Sequence, residues 1–451
     1  MPTSAVFYRS LDKAYPTAVG GVGVYLVTQD GKKILDGSSG AAVSSIGHNN
    51  REVIEAIVNQ ASKLSFAHSS FFTSDPVETL ATFLLQQSGG NAFSRVNFFC
   101  SGSEAVESAL KLARQYHIYH GQPDRVNFIG RNFSYHGNTL GALAIGNNPQ
   151  RRLALEPMLS KAFHHVSRCF CDHDARGGSE QDYEDHLIIE YSTKINELGA
   201  ATVAAIIVEP VVGATLGTVP ATKTYLPRLK QLCEDHGILL IFDEVMCGMG
   251  RVGSYHAWES LGGVAPDLQT IGKGLGGGYL PLSAILISSK VASVFEESSK
   301  GAHKYVSGHT FQDHAMGCAS ALAVQKIVRR DNLVHNAAVQ GALLEKLILQ
   351  DLPPELKEMG VTMRGLGLFR SIDFGNARRT FGKALAGEVA EETFKKGATV
   401  YLCSTAVDAV MFAPPLIISK EEVAELVGIF LRALRAVLAR RMDVNSIEPR
   451  L

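Results

Sequence analysis

Between about residues 95 and 288 the chain alternates short apolar, β-branched runs with stretches of helical periodicity, and this alternation constrains the fold more than any other feature. Parallel strands can be joined only by a long connection that crosses back over one face of the sheet. A strand, helix, strand rhythm therefore predicts a mostly parallel sheet covered by helices. The runs that read as strands are 96–99, 126–129, 203–208, 238–242, 268–271 and 284–287. Between the third and fourth, Leu226, Leu229 and Leu232 share one helical face, and Gly237 supplies the stop signal. The fourth run then delivers Asp243 at a carboxyl end, the edge at which ligands sit in open parallel sheets.

The flanks have a different texture. Residues 23–27 and 33–36 surround Asp30-Gly31 and read as a hairpin. Beyond Phe311, helical patterns cover 315–329 and 332–349, a hairpin is expected within 365–374, and an amphipathic helix closes the chain over 420–440. With 451 residues, 46% of them hydrophobic, the chain can bury more than one core. The expected division is a large α/β domain over 61–325 and a smaller α+β domain assembled from 1–60 and 326–451.

Composition excludes several partners. Forty-three basic against 44 acidic residues leave no electrostatic footprint for nucleic acid or an anionic membrane, and no apolar run is long enough to span a bilayer. The expected partners are small molecules and a second copy of the chain. Seven cysteines, mostly in apolar runs, read as reduced thiols in the cytoplasm. Cys169-Phe170-Cys171-Asp172-His173 lacks a second ligand pair at zinc spacing, so no metal is expected. Met1-Pro2-Thr3-Ser4-Ala5-Val6 shows no basic segment followed by an apolar one, so no targeting leader is expected, and the echo of the peroxisomal Ser-Lys-Leu tail in Pro449-Arg450-Leu451 reads as coincidence.

Four constellations carry chemistry. In Phe99-Cys100-Ser101-Gly102-Ser103-Glu104, a strand meets small residues and then a helix start, where exposed N–H groups and hydroxyls suit a phosphate; an ordinary serine cap is the alternative. In Ser134-Tyr135-His136-Gly137, an aromatic at a strand end can stack on a flat ring or simply close the core. Asp243 can hold a proton on a pyridine nitrogen, or serve as a cap or ion-pair partner. Lys273 lies within Gly272-Lys273-Gly274-Leu275-Gly276-Gly277-Gly278. That stretch matches G-x-G-x-x-G by spacing, but Pro281 breaks any helix opening there, and no serine or threonine follows the lysine as a P-loop requires. The glycines read better as room around one reactive amine, although most lysines are merely exposed. A Schiff-base amine together with a ring-nitrogen carboxylate points to pyridoxal phosphate.

In this order, the four pieces resemble the class III aminotransferases, fold type I pyridoxal phosphate enzymes, over nearly the whole chain from Gly23 to the Ala413-Pro414-Pro415-Leu416 segment. The resemblance implies that Gly102 and Ser103 bind the cofactor phosphate, Tyr135 stacks on the ring, and His136, Gly137 and Glu209 line it. It also implies that Asp243 pairs with the ring nitrogen, Val245 packs on the opposite ring face, and Lys273 forms the Schiff base. Thr310, in Ser307-Gly308-His309-Thr310-Phe311, would reach the phosphate of a neighbouring subunit, making the functional unit a homodimer with shared sites.

Three departures accompany the resemblance. Met246 stands where many members have a glutamine, and cannot donate a hydrogen bond to the cofactor. Rough alignment puts Ala42 where related enzymes carry a large aromatic. No arginine precedes Ala413 in 399–412 to fork onto a substrate carboxylate. The expected activity is transfer of an amino group from a primary or ω-amine to a small keto acid such as pyruvate, in a ping-pong cycle. Aminomutase, racemase or decarboxylase chemistry, and a non-catalytic cofactor-binding protein, are the alternatives.

Overall fold

The computed structural model describes residues 4–89, 91–175, 177–298 and 304–447. The closing Pro449-Arg450-Leu451 lies outside them. Seven strands form the central sheet: β1 (Arg95–Phe99), β2 (Asn127–Arg131), β3 (Phe163–Val166), β4 (Val203–Val208), β5 (Leu239–Asp243), β6 (Leu268–Ile271) and β7 (Ser283–Ile287). Their spatial order is β1-β7-β6-β5-β4-β2-β3. Every pairing is parallel except those of β7, which runs antiparallel to both β6 and β1.

The period of two decides which residue faces which layer. Ile206, Val208, Leu240 and Phe242 face one core, where they meet Leu187, Tyr191 and Ile195 of helix Glu180–Leu198 and Leu226 and Leu229 of helix Tyr225–His236. Ala205, Ile207, Leu239 and Ile241 face the other, against Val106, Ala109, Leu110 and Ala113 of helix Gly102–Tyr119. Burial on both faces explains why these strands read as continuous apolar runs. Truncating Leu240 to alanine would cost about 2–5 kcal/mol, because such a centre cannot collapse around the lost atoms. The Tyr225–His236 helix ends at Gly237, whose φ of 63° is left-handed and lets its N–H reach the Cys233 and Glu234 carbonyls.

Several strands were not expected from the sequence, among them β3, Ala18–Val22, Tyr401–Leu402 and Ala409–Phe412. β3 is an edge strand whose His164 and His165 interrupt the apolar pattern, and it is half-exposed. Ala18–Val22 is largely solvent-exposed and glycine-rich, yet pairs with Tyr25–Thr28, which pairs in turn with Lys33–Leu35. Toward the C-terminus, Thr362–Leu366, Phe369–Asp373, Ala409–Phe412 and Tyr401–Leu402 make an antiparallel four-stranded sheet. A separate core joins the two ends of the chain: Val24, Leu35, Ile46 and Val53 cluster with Phe412, Phe430 and Leu434. The join includes backbone pairing, since Leu35 N–H donates to the Gly397 carbonyl and Thr399 N–H donates to that of Leu35, both at 2.9 Å. Among the described residues, no helix is long and apolar enough to cross a membrane, and no His/Cys/Asp/Glu group could hold a metal ion.

Candidate active site

A cavity of about 400 Å³ opens where the carboxyl ends of β1, β2, β4, β5 and β6 release the chain. Gly102, Ser103, Tyr135, His136, Gly137, Glu209, Asp243, Val245 and Lys273 all line it. Nine of the ten residues singled out from sequence thus meet in one place. Thr310 does not: it lies on an exposed segment away from this cavity.

Asp243 is held from three directions. Its carboxylate takes a 2.7 Å bond from His136 Nδ1 and 3.1 Å bonds from Thr270 Oγ1 and the Val245 N–H. The group is 5% exposed, so those three donors hold it in one fixed orientation. Glu209 is also buried; it accepts the Tyr135 N–H at 2.9 Å and the Gly213 N–H at 3.0 Å, and burial still pushes its carboxyl up. Lys273 shows the converse effect. Burial lowers its amine to about 8, against the pull of Asp243 and Glu209 toward the charged form. Its φ of 43° is a left-handed conformation that a non-glycine residue adopts only under constraint, and it opens a 3₁₀ turn, Lys273–Leu275.

The helix start divides its labour. Ser101 is the cap, with its hydroxyl accepting the Glu104 N–H while Glu104 reaches back to the N–H groups of Ser101 and Cys100. Ser103 is left for the cavity, and its Oγ accepts the Asn138 N–H at 2.9 Å. Backbone closeness is built in here. A Cβ on Gly102 would stand 2.6 Å from Val245 Cγ1, and one on Gly137, at φ 141°, would stand 2.7 Å from Ser103 Oγ.

Two expectations need revision. The small residue on the wall is Ala41; Ala42 is 2% exposed and turned into the core, its φ of 62° reversing the chain at that point. The segment Tyr401, Leu402, Cys403 and Ser404 forms the outer wall without a cation, but Arg151 and Arg9 line the cavity instead. Neither stands in a motif. Arg151 meets the site through a turn after β2, with its guanidinium 4.7 Å from the Tyr135 ring centre, and no periodicity announces that contact.

A lysine amine lowered to about 8, a buried carboxylate, a helix N-terminus with a hydroxyl beside the cavity and an aromatic wall form the donor set that pyridoxal phosphate requires. The orphaned, buried His136 Nε2 gives the site a further polar atom without a protein partner. Fold and site together define a pyridoxal phosphate-dependent transferase on a mostly parallel seven-stranded sheet. The family profile for aminotransferase class-III matches residues 9–434, and the chain belongs to that family.

An uncharacterized aminotransferase of Schizosaccharomyces pombe is 36% identical over 447 residues, 96% of this chain and 95% of its own. An omega-aminotransferase of Caulobacter vibrioides is 32% identical, covering 92% of each. Among solved structures, a PLP-bound amine transaminase from an uncultivated Pseudomonas species matches with TM-score 0.87 and 32% identity over 98% of both chains.

Proposed function

We propose that this aminotransferase moves an amino group from a primary amine or ω-amino compound to a small keto acid, with pyruvate the expected acceptor, in a ping-pong cycle. The observation that carries the reading is the outer wall: Tyr401 to Ser404 face the cavity with no cation, and Ala41 beside them presents only a methyl group. A donor with a long or bulky body and no α-carboxylate suits such a wall. In the same sense, a structural relative at TM-score 0.88 and 29% identity is an omega transaminase engineered for bulky amines.

When bound, pyridoxal phosphate supplies an aldehyde that condenses with amines and a ring that accepts the electron pair released at the substrate carbon. The Gly102 and Ser103 helix start would hold its phosphate, while Tyr135 and Val245 would flank its ring. Asp243, fixed by His136, Thr270 and the Val245 N–H, would keep a proton on the ring nitrogen. Lys273 Nζ, once free of the cofactor, would move the proton at the substrate carbon. An amine at about 8 is roughly one-quarter neutral at pH 7.5, against about one part in a thousand for an ordinary lysine.

The working unit in this reading is a homodimer in which Thr310 serves the partner's site. Phe71, Phe72, Val306 and Phe311 are all more than half exposed, an apolar surface that a second copy would cover. The division into a large lobe over 61–325 and a small one from both ends belongs to the same proposal, and the shared core of the two ends supports it.

The substrate reading is tested by donor half-reactions, following loss of the cofactor's lysine-bound absorption with a long-chain amine, 4-aminobutyrate and L-glutamate. A faster reaction with the long-chain amine is expected. A clear preference for L-glutamate overturns the assignment.

A further inference from the structure

We infer that Arg151 is the receptor for the carboxylate of the keto acid, a specificity-determining residue that replaces the cation missing from the 399–412 segment. The inference rests on the transaminase reading above, whose acceptor half-reaction brings a carboxylate into a cavity with an uncharged outer wall.

Two adjacent arginines in the helical turn Pro149–Arg152 have opposite situations. Arg152 is fully engaged: it donates to the Ala144 and Gly146 carbonyls at 2.9 and 2.7 Å and forks onto Glu156 at 3.0 and 2.9 Å. Those bonds fix the turn. Arg151 lines the cavity, half-buried, with its guanidinium over the Tyr135 ring at 4.7 Å and no carboxylate within ion-pair distance among the described residues. A cation held by an aromatic face keeps its N–H edges for a ligand, and the planar fork matches a carboxylate in two parallel bonds.

Other arginines nearby are already paired. Arg364 bonds Asp373 at 2.5 Å and the Gly217 carbonyl at 2.7 Å, Arg370 bonds Glu345 at 2.8 Å, and Arg251 is buried against the Pro414 carbonyl. Arg9 also touches the cavity but is solvent-exposed on the N-terminal arm, where water weakens any ion pair it makes. Among the described residues, Arg151 is the one cation besides Lys273 that combines access to the cavity with a fixed, partly desolvated position. An amine donor without a carboxylate would leave it untouched, so the two halves of the cycle would use different parts of one cavity.

The test uses holoenzyme with one fixed amine donor and compares pyruvate with propanal, an acceptor of similar size lacking the carboxylate. For Arg151→Gln, KM for pyruvate should rise at least tenfold while kcat and the KM for propanal hold. Arg151→Lys should fall between, keeping the charge without the fork. Calorimetric binding of propionate, which cannot react, should weaken by a similar factor. The inference is overturned if pyruvate and propanal suffer alike, if pyruvate KM and propionate affinity are unchanged, if the variant loses cofactor instead, or if Arg9→Gln rather than Arg151→Gln produces the shift. Should the wild type turn over neither acceptor with any amine, the transaminase reading fails separately, and propionate binding still decides the role of Arg151.

Discussion

Replacing Gly102 with alanine would put a methyl group where the fold leaves no room for one. The new Cβ would stand 2.6 Å from Val245 Cγ1 and 3.1 Å from Cγ2, well inside the roughly 3.5–4.0 Å at which carbon atoms rest. Backbone conformation is not the obstacle, since Gly102 has no left-handed φ. As the first residue of helix Gly102–Tyr119, alanine should even favour the helix by up to about 1 kcal/mol. The collision decides the outcome at the cavity. Val245 is tethered through its N–H to Asp243, so either the helix start retreats or the isopropyl group turns into the space meant for the cofactor.

Overpacking of this kind costs about 1–3 kcal/mol, which corresponds to cofactor binding weakened by roughly 5- to 150-fold. Titrating apo-enzyme with pyridoxal phosphate for the wild type, Gly102→Ala, Val245→Ala and the double variant gives a complete cycle. The double variant should bind within about threefold of Val245→Ala alone, and thermal unfolding of the apo-proteins should show no loss from Gly102→Ala. Unchanged retention in Gly102→Ala, or a loss that Val245→Ala leaves in place, would refute the close approach as the cause.

Asp243→Asn should fold and retain much of its cofactor but lose turnover by orders of magnitude, since an amide cannot hold the ring proton; near-normal kcat would make the aspartate structural. Trapping of pyridoxal phosphate on Lys273 by borohydride should accelerate about tenfold per pH unit below pH 8 and level off above it, because the neutral amine is the nucleophile; a plateau only above about pH 10.5 would mean an ordinary lysine. Linkage gives a matching sign in the apo-protein. Between about pH 8 and 10.5 the unfolded chain still binds the lysine proton while the folded chain does not, so stability rises with pH there, and this increment should vanish in Lys273→Met. Thr310→Ala should weaken cofactor retention by about 1.5–3 kcal/mol, the value of a hydrogen bond to a charged group. Hybrid dimers with Lys273→Ala subunits should then contain one doubly damaged and one intact site, whereas two identical sites in purified hybrids would exclude service across the interface.

The sheet was legible because its strands are buried on both faces, so that runs such as Val203–Val208 carry no polar interruption. β3 was not, because an edge strand tolerates His164 and His165, whose bonds to Asn127 and to the Ala144 and Ile145 carbonyls exist only after folding. Lys273 and Asp243 announce themselves through their neighbours, glycines in one case and a strand end in the other. Arg151 has no such neighbours, and its place over Tyr135 depends on how a turn is pinned by Arg152. The choice between Ala41 and Ala42 depends on a reversal of the chain at three positive-φ residues, Ser39, Gly40 and Ala42, which alternation of side chains could not anticipate.

The core shared by the two ends of the chain also bears on how the protein comes into being. Asp36 accepts a bond from Thr399, 363 positions away, and Leu35 pairs its backbone with the same late segment. During synthesis the residues of the central sheet can meet as they emerge, but Val24 and Leu35 must wait, apolar and unaccompanied, until their partners leave the ribosome. This early hairpin is therefore the stretch most exposed to wrong association in a nascent or shortened chain. A fragment ending before Ala398 should be cut by protease within the first fifty or so residues while its sheet region resists. Closure of the second core would then be the last event of folding, and the one on which a chaperone would have most effect.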